Sequence, residues 1–347
     1  MITNEISRQK NLLEKVLIVN GQPGCGKTLI SSIVSSFDRV EIMKYSTELE
    51  NITRLNYLKK ISDDASSSLL KCCLDEMIYS NLMSRNINFR FTDLSSAFRY
   101  PITMKYIKRL FNKGDENIPN LINKTKPILH LTTHDLFPYS KILFSTFKKK
   151  ITFIEVVRHP LYMIKQQTIN YINHKKNSAR TFHIKILLDS GHEVRINDPR
   201  LNGEIINDNT SPIDLAVYTM KVYFDFILMN LNSFSKSNII FIPFENFVTD
   251  PSPYMALIYK SLQTNQTKLT KNILKREKVP RKKFSDGLNL KVYEKFGWTK
   301  PIKGFTERDE LNERIKWTKE MNISYKCSKI LDEISEKYEN LILGNSI

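Results

Sequence analysis

The 347-residue chain is 41% hydrophobic and 26% charged, with 19 Phe and 15 Tyr, enough for one large packed core and against a chain dominated by disorder. Its formal charge of +17 points to polyanionic partners (nucleotides, acidic glycans, nucleic acid or anionic lipid) or, since the basic residues are dispersed, to simple lysine drift. Cys25, Cys72, Cys73 and Cys327 show no C-x-x-C spacing and no ligand-spaced histidines, which speaks against a disulfide framework or a zinc site and for a reducing compartment.

The first fifteen residues lack a signal-peptide core, and no uncharged apolar run approaches a membrane span, so a soluble, cytoplasmic protein is expected. The first predicted strand, Val16–Asn20, runs into Gly21-Gln-Pro-Gly24-Cys25-Gly26-Lys27-Thr28, and a helix-competent segment, Leu29–Phe37, follows. The spacing G-x-x-x-x-G-K-T between strand and helix is a phosphate cradle. Glycines let backbone N–H groups converge on phosphate oxygens, and the helix N-terminus adds partial positive charge. Lys27 can neutralise a terminal phosphate or sulfate oxygen, and Thr28 can bond one or hold magnesium.

Further along, strands are expected at Val40–Tyr45 (the weakest), Asn88–Thr92, Ile128–Thr132, Thr152–Val157 and Ile239–Pro243. Helices are expected at Ser66–Met83, Ile102–Asn112, Tyr139–Phe147, Leu161–Tyr171, Ile213–Leu231 and Tyr254–Leu262. This alternation predicts an α/β three-layer sandwich with a mainly parallel central sheet, whose ligands sit outside the carboxyl ends of the strands. Phe182–Leu188 and Glu193–Ile196, joined through Gly191, read as a hairpin inside an insertion at 175–212, a recognition flap or mere decoration. The expected organisation is a core over 1–262 and a basic helical extension over 263–347 packed on it, with an amphipathic last helix near Tyr325–Leu341. Tyr218, Tyr223, Phe224 and Phe226 read as core, with one ring able to stack on a base.

Strand Thr152–Val157 ends in Arg158-His159-Pro160. Proline suits a first helical turn, and arginine at a strand end aims a bidentate anion clamp at the crevice of the glycine loop. A P-loop kinase would want an Asp there to hold magnesium. Asp93, after Asn88–Thr92, is the one plausible carboxylate of that kind, or equally a helix N-cap.

At this point the chain resembles the sulfotransferases that use 3′-phosphoadenosine 5′-phosphosulfate (PAPS), an α/β family with a P-loop-like fold. Four segments carry the likeness, in family order, over less than half of the chain. They are GQPGCGKT at 21–28, the His130-Leu-Thr-Thr133-His134 strand end followed by Pro138, IEVVRHPLYMI at 154–164, and the late strand from Ile239 through Glu245 to Asp250-Pro251. The resemblance implies that Gly24, Cys25, Gly26, Lys27, Thr28 and Leu29 bind the 5′-phosphosulfate. It implies that Arg158, Gln166, Arg281 and Lys282 bind the 3′-phosphate, and that His134 is the general base with Lys27 stabilising charge. The acceptor would be a hydroxyl of a carbohydrate, lipid or small metabolite, the product adenosine 3′,5′-bisphosphate (PAP), and no metal would be required.

The departures are specific. Gly24 stands where the family commonly has a lysine, and Lys27 is the loop's only lysine. It either takes over charge stabilisation or serves an ordinary nucleoside triphosphate. Gln166 replaces a family serine, and Arg281-Lys282-Lys283, before Gly287, lacks the immediate glycine of the usual R-K-G. Glu245 reads as a cap or ion-pair residue. The competing function is therefore an ATP- or GTP-dependent P-loop kinase using Lys27, Thr28 and magnesium. A nucleic-acid-binding scaffold ranks behind both, because no recognised motif for it appears.

Overall fold

The computed structural model describes residues 5–8, 10–93, 95–100, 102–112, 114–176, 184–189, 191, 193–202, 206, 209–234, 238–282 and 304–344. Its strands are β1 (Lys15–Gly21), β2 (Lys44–Tyr45), β3 (Ile128–Thr132), β4 (Ile151–Val157), β5 (Lys185–Leu187), β6 (Glu193–Arg195) and β7 (Ile239–Pro243). The helices up to the insertion are α1 (Lys27–Val34), α2 (Thr47–Tyr57), α3 (Asp63–Leu82), α4 (Thr103–Arg109), α5 (Ile118–Thr125), α6 (Lys141–Phe147) and α7 (Pro160–Lys176). After it come α8 (Pro212–Phe234), α9 (Phe244–Thr249), α10 (Ser252–Leu262), α11 (Lys268–Arg276), α12 (Glu307–Glu320) and α13 (Tyr325–Tyr338).

Five strands form one sheet in the order β2-β3-β1-β4-β7, every pair parallel. The sequence dictates this form. β1, β3 and β4 are buried along almost their whole length, and strands covered on both faces need apolar residues at every position. The register pairs Val19 with Thr132, Gly21 with Val156 and Val157 with Pro243. Because all strands run one way, the segments after Gly21, Thr132, Val157 and Pro243 emerge side by side at one edge. The main core joins the sheet to α1, α3, α7, α8, α10 and α13, with a smaller cluster around Ile42, Met43, Tyr100 and Tyr106.

Three expectations are corrected. Asn88–Thr92 is not a strand. The Asn88 side chain accepts from the Arg90 N–H at 2.9 Å and donates to Asp93 and Ser95, and these local bonds fold the segment into turns instead of a ladder. Asp93 therefore stands in a half-buried turn, not at a strand end. Of Val40–Tyr45, only Lys44–Tyr45 pairs as a strand, beyond an isolated bridge from Val40 to Ile128. The interruption follows from Glu41, a fully buried carboxylate gripped by Lys105 at 3.0 Å, Arg109 at 2.7 Å and the Tyr106 hydroxyl at 2.8 Å. Helices α2 and α5 were not anticipated; α2 is capped by Ser46, whose hydroxyl accepts from the Leu49 N–H. Of the expected hairpin, β5 and β6 do pair antiparallel, while Phe182 lies outside the described residues.

Candidate functional site

The crevice begins with the loop after β1. Gly24 and Gly26 hold φ of +91° and +94°, a region where a side chain is strained. A Cβ on Gly26 would come within 2.2 Å of the Phe244 ring, and one on Gly24 within 3.2 Å of Gln166 Cβ. The loop is thus pressed between the start of α9 and the flank of α7. Gln167 buttresses it from α7, its amide donating to the Pro23 carbonyl at 3.0 Å. Helix α1 opens on Gly26 with no side-chain cap and no acidic residue in its first turn, which leaves its N-terminal amides suited to an anion.

Within this cradle Lys27 is buried, its ammonium donating to the carbonyls of Gly21 at 3.1 Å and Gln22 at 3.2 Å. Thr28 is partly exposed. The Leu29 side chain turns into the core, and its N–H is taken by the Gly26 carbonyl at 3.0 Å. The Cys25 thiol also points inward and is fully buried, which pushes its pKa up to about 11. Gln22, one residue after β1, is nearly buried, and its Nε2 has no hydrogen-bond partner among the described residues. It shares a cavity of about 20 Å³ with Arg158, Met163 and Phe224, room for roughly one water molecule.

Arg158 follows β4 directly. Its Nη1 donates to the Gly24 carbonyl at 3.2 Å, and its guanidinium lies 4.4 Å from the Phe244 ring centroid and 5.0 Å from that of Tyr162. Arg281 joins the same aromatic platform, 6.0 Å from the Phe244 centroid, while its Nε and Nη2 donate to the carbonyls of Lys278 and Glu277. Lys282 is exposed, and Lys283 and Gly287 lie outside the described residues. Gln166 packs beside Gly24 and donates to Asn170 at 3.0 Å.

The turn carrying Arg158 is braced from the C-terminal helices. Glu245 accepts from the His159 N–H at 3.0 Å and from the Tyr338 hydroxyl at 2.6 Å, and His159 Nε2 meets Glu339 at 2.8 Å. Glu245 thus braces this turn, and does not cap α9, in whose first turn it lies. Arg314 on α12 donates to the Tyr162 carbonyl at 3.3 Å and stacks over its ring at 4.5 Å.

On the other side of the loop, His134 follows β3. Its backbone is fixed at both ends, the N–H donating to Glu50 at 2.8 Å and the carbonyl accepting from Arg54 at 3.0 Å. The ring is about one-third exposed and stacks on Tyr45 with centroids 5.6 Å apart. Burial and the Lys27 charge pull its pKa below the ordinary histidine value, against Glu50, which raises it. The imidazole is therefore neutral at pH 7 and able to accept a proton. Asp135, at φ +51°, is buried beside it; burial raises its pKa while Lys27 lowers it.

Beneath both loops runs a network the motif reading passed over. Asn20, at the end of β1, accepts from Thr133 Oγ1 at 2.8 Å and the Leu136 N–H at 3.0 Å, and donates to Glu155 at 2.6 Å. Tyr223 donates to Glu155 at 2.8 Å, and burial raises the Glu155 carboxyl to about 8 despite these bonds. A polar residue in each of two otherwise apolar strand runs was the signal available in the sequence. Among the described residues no group of three or more His, Cys, Asp or Glu is placed to hold a metal ion, and no helix is long and apolar enough to cross a membrane.

No protein-family model and no curated protein matches the chain. Solved structures to which it is similar include a sulfotransferase domain from the curacin biosynthetic pathway, at 11% identity over 89% of this chain and 99% of that one, with a TM-score of 0.40. A sulfotransferase from Mycobacterium avium is similar at 16% identity over 91% and 78%, with a TM-score of 0.38. A mouse sulfotransferase complexed with PAP is similar at 11% identity over 95% and 87%, with a TM-score of 0.37.

Proposed function

We propose that the protein is a sulfotransferase moving a sulfuryl group from PAPS to a hydroxyl acceptor. The observation that carries this reading is the 3.2 Å bond from Arg158 to the Gly24 carbonyl, which puts the strand-end guanidinium and the phosphate cradle in one crevice. A phosphate cradle and a strand-end guanidinium meeting in one crevice, with a neutral histidine alongside, suit a doubly phosphorylated adenosine and an acceptor that must lose a proton.

The residues fit such a donor. The α1 amides and Lys27 bind the 5′ anion, and Lys27 exchanges its two carbonyl contacts for it. Arg158, with Gln166 and Arg281 beside it, binds the 3′-phosphate and thereby selects this nucleotide over ATP. PAPS supplies an activated sulfuryl group on a phosphate leaving group. His134 takes the acceptor hydroxyl proton as the new oxygen–sulfur bond forms and the old one breaks, and Lys27 balances the negative charge left on the phosphate. Such a reaction depends on positioning and fixed charge more than on covalent help from the protein.

One observation favours a P-loop kinase or NTPase instead. Asp135 follows β3, the neighbour of β1, within the field of Lys27, where a magnesium carboxylate would stand. Calorimetry separates the two. PAP should bind without metal, and Arg158→Met should weaken it about 30- to 100-fold, the loss of a charge-assisted contact worth roughly 2–3 kcal/mol. Magnesium-dependent ATP binding with no PAP binding refutes the proposal.

A further inference from the structure

The hairpin β5–β6 and the residues after it are joined to the site. The Ile184 N–H donates to Asn51 on α2 at 3.3 Å, the Tyr139 hydroxyl donates to the Ile196 carbonyl at 3.3 Å, and the Asn197 amide donates to Asp135 Oδ2 at 3.1 Å. Helix α2 and the loop after β3 are the two elements that fix His134, so the insertion lies against the acceptor side of the crevice.

Arg195 stands at the end of β6 between these anchors. It is partly buried, its Nη2 is enclosed without a hydrogen-bond partner, and it forms no ion pair with any described residue. The groups whose charge it feels are Tyr171, Asp135, Arg54 and Asp198. Most of these are already engaged. Asp198 is bound by Arg200 at 2.8 Å, Arg54 pairs with Glu50 at 3.3 Å, and Asp135 Oδ2 receives Asn197, while Asp135 Oδ1, buried without a hydrogen-bond partner, is not paired with Arg195 either. Burial lowers the Arg195 pKa, yet a guanidinium stays charged at neutral pH. A permanently charged donor enclosed without an acceptor is unfavourable in the free protein and becomes favourable only when an anion arrives.

We propose that Arg195 is an anion anchor for the acceptor, so that the acceptor carries an oxyanion, a carboxylate or a phosphate or sulfate ester, near the hydroxyl offered to His134. The proposal rests on the sulfotransferase reading, and the insertion is then a specificity element. Bidentate recognition by a planar guanidinium explains why arginine, not lysine, would occupy the place.

The test titrates the PAP-saturated protein with 4-hydroxyphenylacetate, phenyl phosphate and the neutral 4-hydroxyphenylacetamide, following binding by calorimetry and melting temperature. At least one oxyanion should bind tenfold or more tighter than the amide and raise the melting temperature saturably; which one is tighter distinguishes a carboxylate from an ester. Arg195→Gln should abolish that preference with PAP affinity unchanged, and Arg195→Lys, which keeps the charge, should retain part of it. No oxyanion preference in the wild type, or an equal preference in Arg195→Gln, overturns the proposal. If Arg195→Gln fails to fold, an undiminished preference in Arg195→Lys overturns the bidentate anchor. PAP titration alone decides the donor reading. Should PAP not bind, the difference between wild type and Arg195→Gln is still measured in its absence.

Discussion

Glu155 offers a sharp physical test, because a carboxyl group raised to about 8 must leave its mark on the pH dependence of stability. The group is fully buried in β4, with Asn20 and Tyr223 as partners, and its unfolded value is that of an ordinary glutamate, about 4.3. Between those values the native state holds a proton that the unfolded chain has released, so stability falls as pH rises. Linkage gives a loss of roughly 2 kcal/mol between pH 6 and pH 8 from this group alone. Glu155→Gln keeps the shape but cannot titrate; its oxygen accepts from Asn20 while the Tyr223 O–H loses its carboxylate acceptor, a cost that does not change with pH. Urea unfolding at pH 6, 7, 8 and 9 should show the variant gaining on the wild type by about that amount across pH 6–8, while other titrating groups cancel in the comparison. A difference between the two proteins that stays flat with pH would refute the burial argument.

Two further outcomes follow from the site geometry. Gly26→Ala forces a Cβ into the Phe244 ring at positive φ, a strain of about 2–5 kcal/mol from backbone and overpacking together, and should lower the melting temperature and weaken PAP at least tenfold; unchanged values of both would mean the loop is not seated as described. His134→Ala should cut turnover by about 10²–10⁴ with PAP affinity preserved, and the wild-type acid limb should fall below the ordinary histidine value because burial and Lys27 depress its pKa. Wild-type turnover in that variant removes His134 as base, and an acid limb above pH 6.5 contradicts the direction of the shift.

Much of the fold was legible because its signals are local. The apolar runs of β1, β3, β4 and β7 need no partner to be recognised, and glycines at 24 and 26 or a proline opening α7 announce backbone geometry directly. The false strand at Asn88–Thr92 and the broken edge at Val40–Tyr45 failed for the opposite reason. Side-chain bonds of Asn88 and the distant cations Lys105 and Arg109 outweighed β propensity.

The order of residues along the chain therefore determined a parallel α/β sheet and which segments cross its carboxyl edge, since strand direction and turn chemistry are properties of short stretches. Only the tertiary structure decided that Arg158 meets Gly24, that Phe244 serves both Gly26 and the two arginines, and that Arg195 reaches the His134 side without a partner. Those contacts join residues from about 40 to 220 positions apart, and sheet register, helix packing and burial fix them together.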